Sequence, residues 1–147
     1  MTETIPLKIK RQHNGIFIPT KSTPNSAAYD IYCPQAVKWI LPGDTYMMKL
    51  GFQLEIPEGY KVEIYSRSGL ASKGLFVINQ PGKVDSDYRG EVCVLLHNAS
   101  KWRHFEFNPG DRVAQMEIAP TYNIDFEEVV EVEETIRGEG GFGSTGK

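Results

Sequence analysis

From Tyr46 to Ile56 every second residue is apolar: Tyr46, Met48, Leu50, Phe52, Leu54 and Ile56. Successive side chains of a strand point to opposite faces, so this period of two predicts one half-buried strand over the whole run. Pro42-Gly43-Asp44 before it and Pro57-Glu58-Gly59 after it read as turns. Tyr60, Val62 and Ile64 then alternate with Lys61 and Glu63, which predicts a hairpin partner for the first strand. Glu91 to His97, rich in Val and Leu, predicts a more buried strand. Asn108-Pro109-Gly110-Asp111 is a further turn. It launches Arg112 to Ile118, where Ala114, Met116 and Ile118 share one face and Val113, Gln115 and Glu117 the other. Shorter strands are predicted at Leu7 to Lys10, Val37 to Ile40, Phe76 to Ile78 and Glu128 to Val132. Only Ser68 to Lys73 has helical character, closed by Gly74. Many short strands between Gly/Pro turns predict an all-β sandwich or barrel with one short helix. No repeat, linker or second domain interrupts the pattern. Five of the 14 glycines lie between Gly138 and Gly146, in a stretch with almost nothing to form a core. The predicted division is therefore a β domain over 1–136 and a mobile arm over 137–147.

Composition narrows the function. The 147 residues suit one domain. With 16 Lys+Arg against 19 Asp+Glu the net charge is −3, whereas a general nucleic-acid binder is usually basic. Stable nucleic-acid binding is therefore not expected. No apolar run approaches the ~18 residues of a membrane span, and no basic-then-apolar stretch opens the chain, so no membrane partner or secretory signal is expected. The two cysteines, Cys33 and Cys93, are too few for a disulfide framework, which fits reduced thiols in a soluble cytoplasmic or otherwise intracellular protein. Asn98-Ala99-Ser100 matches a glycosylation acceptor, but without a secretory route the match counts as chance.

Two phosphate-loop patterns in the arm fail on context. Gly138-x-Gly140-x-x-Gly143 needs a helix and a strand after it, and four residues remain. Gly141-x-x-x-x-Gly146-Lys147 has no Ser or Thr after the lysine. The glycines still allow backbone N–H groups to approach an anion, Ser144 and Thr145 add hydroxyls, and Phe142 suits stacking on a planar ligand. A frayed tail is the plain alternative. Ser66-Arg67-Ser68-Gly69 follows a strand and opens the short helix. Arg67 offers a donor fork for phosphate oxygens, or the segment is simply a helix start capped by Ser66 or Ser68. In Asp85-Ser86-Asp87-Tyr88-Arg89-Gly90 the carboxylates could serve as a metal pair or a general base, or merely cap a turn. Asn79 offers a donor and an acceptor to a base edge. Asp111-Arg112 reads as a surface pair.

Ala27-Ala28-Tyr29-Asp30-Ile31, Ser66 to Ala71, Asn79 through Gly82 to Glu91, Gly110 to Met116, and Arg137 to Gly146 occur in that order. Together they resemble the five motifs of the homotrimeric dUTPases (deoxyuridine triphosphate nucleotidohydrolases), over most of the chain. The resemblance implies a jelly-roll-like β-sandwich of the β-clip type and a homotrimer whose active sites are shared among three chains. It implies hydrolysis of the substrate dUTP to dUMP and pyrophosphate with Mg²⁺, limiting uracil incorporation into DNA and supplying dUMP for thymidylate synthesis. Carried onto matching positions, Asp85 would activate the attacking water. Asn79, Gly82 and Val84 would read uracil, Tyr88 would pack under the deoxyribose, and Phe142 would cover the base. Arg67, Ser68, Gly69, Arg137, Gly143, Ser144 and Thr145 would hold phosphates, while Asp30 and Gln115 would bind the metal through water.

Three positions depart from the pattern: Ser66 where Pro is frequent, Ala28 where Gly is frequent, and Lys83 where the residue is more often apolar or small. Ala28 requires a backbone that avoids positive φ. Lys83 could face Asp85 or a phosphate if it points inward; an outward, solvated position is the expectation. The alternative functions are a dCTP deaminase-type relative, for which no further acid/base group is found, and a non-catalytic, nucleotide-dependent regulatory module.

Overall fold

The computed structural model describes residues 3–146; Met1, Thr2 and Lys147, the ends of the two predicted segments, lie outside the described residues. Eleven strands and one helix follow in order: β1 (Lys8–Arg11), β2 (Tyr29–Tyr32), β3 (Val37–Ile40), β4 (Thr45–Lys49), β5 (Phe52–Glu55), β6 (Tyr60–Tyr65), α1 (Ser68–Ala71), β7 (Leu75–Val77), β8 (Gly82–Val84), β9 (Cys93–Asn98), β10 (Phe105–Phe107) and β11 (Arg112–Pro120). Every pairing is antiparallel. The main sheet runs β2-β11-β6-β8, faced by β4-β9-β7 and by the two-stranded β1-β5 and β10-β3. Neighbours in the sheets are mostly distant in sequence, as in a jelly roll, and their inner faces enclose one apolar core that includes Ile31, Phe52, Val62, Leu75 and Leu96. The all-β class with one short helix is as expected.

The long alternating run is not one strand. β4 pairs with β9 and β5 with β1. The chain turns between them at Gly51, whose φ of +80° is open to glycine and strained for other residues. A Cβ there would also lie 2.3 Å from Ile16 Cδ1. The period survives the bend, with Met48, Leu50, Phe52, Leu54 and Ile56 all buried. The alternation thus reported burial correctly and continuity wrongly. The predicted hairpin is likewise absent, because β6 pairs with β11 and β8 rather than with its sequence neighbour β5. In β11 the two-face pattern breaks at its start, where Val113 and Ala114 are both buried. A register shift between Arg112 and Ala114 inserts the extra residue. β2, β8 and β10 had no clear period in the sequence.

The strand expected at Glu128 to Val132 does not form: residues 121–136 contain no regular element, and Val130 is fully exposed. Ala28 does not carry a positive φ. Both thiols are free, with Cys33 buried and its pKa pushed up chiefly by that burial. Among the described residues no helix is long and apolar enough to cross a membrane. Asn98 is wholly buried, its amide donating to the carbonyls of Ile40 (2.9 Å) and Arg103 (2.7 Å), so the glycosylation match is structural.

Candidate active site

One polar cluster forms on the outer face of the main sheet, and a second gathers about the β7–β8 connection. The first is built on three adjacent strands. Asp30 of β2 sits opposite Gln115 of β11, and Gln115 sits opposite Tyr65 of β6. The chain leaves β6 through Ser66 and Arg67 into α1. Arg67 occupies the N-cap position in extended conformation, and no side chain caps the helix. Ser66 is used otherwise: its N–H donates to Gln80 Oε1 (2.7 Å) and its Oγ accepts from the N–H of Val77 (2.8 Å). The first of those bonds is one that proline at this position could not make. Gln115 Nε2 donates to the Ser66 carbonyl (3.0 Å).

These contacts gather two guanidinium groups about one carboxylate. Arg67 Nε lies 3.6 Å from Asp30 Oδ1 and Arg112 Nη1 lies 3.7 Å from Asp30 Oδ2. Ser22 Oγ donates to the same Oδ2 (2.7 Å). Two cations against one anion leave a formal surplus of one positive charge, which favours an anionic ligand. The N–H groups of Ser68 and Gly69 have no acceptor among the described residues, and both residues are exposed. Arg112 was not expected here. Asp111 caps its own turn instead, accepting from the N–H of Asn108 (2.7 Å), which leaves Arg112 for Asp30. Ser22 was missed as well. Neither partnership is visible in local sequence, since both arise from strand register.

The second cluster surrounds the β7–β8 connection. Asn79, Gly82, Lys83, Val84 and Cys93 border a small cavity of about 60 Å³. Gly82 permits the close approach: a Cβ on it would lie 3.5 Å from the Asn79 amide nitrogen. Asp85 follows β8 and is exposed, its carboxylate free of hydrogen bonds among the described residues. Its carbonyl accepts from the N–H of Tyr88 (3.1 Å). Tyr88 in turn donates its hydroxyl to the Glu91 carbonyl (2.9 Å) and lies directly over Gly90, where a Cβ would come within 2.3 Å of the hydroxyl oxygen. Arg89 is spent inside the turn, donating to the Ser86 carbonyl (2.7 Å). Glu91, which no local pattern singled out, anchors the turn to the β4–β5 bend by accepting from the N–H of Gly51 (2.8 Å) and from Gln12 Nε2 (2.9 Å).

Lys83 is exposed, on the outer face opposite Glu63. The arm residues Arg137, Gly143, Ser144 and Thr145 are all exposed and meet neither cluster by hydrogen bond. Their bonds are local turns, such as Arg137 Nε donating to the Gly140 carbonyl (2.8 Å). Phe142 is fully exposed with φ of +51°. A larger apolar cavity of about 470 Å³, bordered by Leu7, Ile9, Ile18, Leu54 and Ile118, contains none of the candidate residues. Among the described residues no three His, Cys, Asp or Glu side chains converge as a metal cage.

Fold and site together define an antiparallel β-sandwich protein with a small polar cavity and a separate arginine-flanked carboxylate suited to an anionic ligand. The family model for dUTPase matches residues 14–146, and the chain belongs to the dUTPase family. It is 48% identical to the deoxyuridine 5'-triphosphate nucleotidohydrolase of Anaplasma marginale over 90% of each chain. It is 46% identical to that of Nautilia profundicola, covering 96% of this chain and 99% of that one. Among solved structures it is similar to the Staphylococcus bacteriophage 80alpha dUTPase bound to dUPNHPP, with a TM-score of 0.86, 27% identity, and 98% and 100% of the two chains covered.

Proposed function

We infer that this protein hydrolyses dUTP to dUMP and pyrophosphate, at sites assembled from three copies of the chain. One observation carries the shared-site reading: the order of groups along β6 and β8. The base cavity lies near the Ser66 end of β6, since Gln80 bonds Ser66 and Gly82 sits opposite Ile64. Val84, which also borders the cavity, sits opposite Val62, and Asp85 follows it, farther from Ser66. From Gly82 to Val84 the strand advances roughly 7 Å away from the Ser66 end. A nucleotide with its base in the cavity and its α-phosphate at Asp85 directs its β- and γ-phosphates away from its own chain's Arg67. A second copy's Arg67, Ser68 and Gly69 would receive them.

The third copy would supply residues 137–147, with Arg137 and Gly143-Ser144-Thr145 on the phosphates and Phe142 over the uracil. The apolar side chains of the preceding segment fit such an assembly. Tyr122, Ile124, Phe126, Val132 and Ile136 are each at least 71% exposed. Exposed apolar runs of this kind mark contact surfaces, and the 470 Å³ apolar cavity is a matching receptor.

The chemistry follows from the groups present. Asp85 accepts a proton from a water whose oxygen bonds to the α-phosphorus. The bond from that phosphorus to the bridging oxygen breaks, and pyrophosphate leaves with the electron pair. A positioned base of this kind contributes about 10²–10⁴-fold. Asn79 and the adjacent backbone match the uracil edge and leave groups unpaired against cytosine. Tyr88, fixed over Gly90, closes the space a ribose 2′-hydroxyl would need. Asp30 and Gln115 are oxygen donors suited to a hydrated Mg²⁺. Asp30 is already engaged by two arginines and Ser22, which fits contact through water better than direct ligation. When bound, Mg²⁺ would neutralise phosphate charge and orient the triphosphate.

Pyrophosphate release measured side by side for dUTP, UTP, dTTP and dCTP, with and without Mg²⁺, tests the reading. The expected result is release from dUTP alone, dependent on the metal. Comparable release from UTP or dTTP, or uracil products from dCTP, would refute it.

A further inference from the structure

On β8 the exposed Lys83 lies between the buried Gly82 and Val84, and the exposed Asp85 follows directly after the strand, so the alternation of burial carries one residue past its end. Residues two apart on a strand sit about 7 Å apart, within the span of a lysine side chain. Lys83 also borders the cavity shared by Asn79, Gly82 and Val84. Its ammonium group has no ion pair or hydrogen bond among the described residues, although its cross-strand neighbour is the acidic Glu63. The reason lies on the neighbouring residues of β6. Lys61 Nζ takes Glu63 Oε1 at 2.9 Å, and the Tyr65 hydroxyl donates to Glu63 Oε2. Both carboxylate oxygens are engaged. These contacts hold the Glu63 pKa low, through the Tyr65 hydroxyl first, then Lys61, with the Lys83 charge adding a smaller effect, and push Tyr65 up to about 12.

An unpaired cation and a free carboxylate, two residues apart at the rim of the small cavity, have one ligand that fits both. We propose that Lys83 is a substrate-binding residue that contacts the α-phosphate of the nucleotide. The inference rests on the dUTPase reading and adds a phosphate contact from the same chain that supplies the base cavity and Asp85. A water held by Asp85 must sit about 3–3.5 Å from the α-phosphorus, which places the phosphate's oxygens within reach of the Lys83 ammonium. The arginines are then left to the β- and γ-phosphates.

Calorimetric titration of the full-length protein with deoxyuridine, dUMP and the imido analogue of dUTP separates the possibilities. Lys83→Met is expected to weaken dUMP and the analogue about tenfold and to leave deoxyuridine unchanged, with Lys83→Arg restoring most of the loss. Glu63→Gln, which breaks the neighbouring network and keeps the lysine, is expected to hold dUMP affinity within about twofold. Lys83→Gln gives the same readout if the methionine variant folds poorly. Unchanged dUMP affinity in the lysine variants overturns the proposal, as does an equal loss for deoxyuridine, which would mean a structural role. If the wild-type protein binds none of the three ligands, the dUTPase reading itself fails; if it binds them and Lys83 is indifferent, only this inference does.

Discussion

Asp85 is exposed, unpaired, and held by a turn that the Tyr88 hydroxyl and the Arg89 guanidinium brace by donating to its own carbonyls. A general base needs that condition, because a carboxylate bound by a cation gives up part of its basicity. Asp85→Asn is therefore expected to bind the imido analogue with affinity close to wild type while kcat for dUTP falls about 10²–10⁴-fold; near-normal kcat would sink the assignment. Gly51 acts at the same scale through structure. Its positive φ and the 2.3 Å approach of Ile16 to the missing Cβ predict that Gly51→Ala costs about 2–3 kcal/mol, read as a lower midpoint in urea. An unchanged midpoint would show that the bend accommodates a side chain. Asp85, Asn79 and Arg67 stood out in the sequence through turn residues and local charge density, although their roles there came from the family resemblance. Arg112 and Ser22 were not, since each reaches Asp30 only through the pairing of β2 with β11 and the loop before it.

Among the elements, the arm carries the sharpest expectation. Its bonds are internal, so its removal takes nothing from the core. Deleting residues 137–147 is expected to leave thermal unfolding within about 2 °C of wild type and to lower kcat/KM for dUTP at least about a hundredfold. Full activity in the truncated protein would reduce the arm to a tail. Period-two alternation identified which positions along β4, β5 and β6 face the core, because burial is written in each strand's own residues, whereas β9, expected to be a more buried strand, alternates. It could not reveal that Gly51 divides one run between two sheets, nor that β6 bypasses β5 for β11. Both outcomes depend on which distant strand offers the better partner. The failed strand at Glu128 to Val132 has the same origin: its apolar pattern is present, but no strand of its own chain pairs with it.

For the whole molecule, the shared-site proposal makes activity a property of contact between copies. The Asp85→Asn chain keeps its arm, and the truncated chain keeps its base. Co-expressed, they should assort into trimers in which about a quarter of sites draw the carboxylate from one variant and the arm from the other. The mixture is expected to regain about that share of wild-type pyrophosphate release, while each variant alone stays nearly inactive. No recovery in a mixture shown by light scattering to be trimeric would argue that each chain serves itself.

The apolar residues exposed between 121 and 136 pose a problem for a chain newly released from the ribosome, before any partner is at hand. Side chains such as Ile124, Phe126, Val130 and Val132, left in water, invite the wrong strand to pair with them. The same stretch carries Asp125, Glu127, Glu128, Glu131, Glu133 and Glu134. Like charges at this density repel a second copy of the segment and keep it solvated until a receptor surface on a folded neighbour offers a better fit. The acidic residues thus offset the aggregation risk that the exposed apolar side chains bring to this stretch.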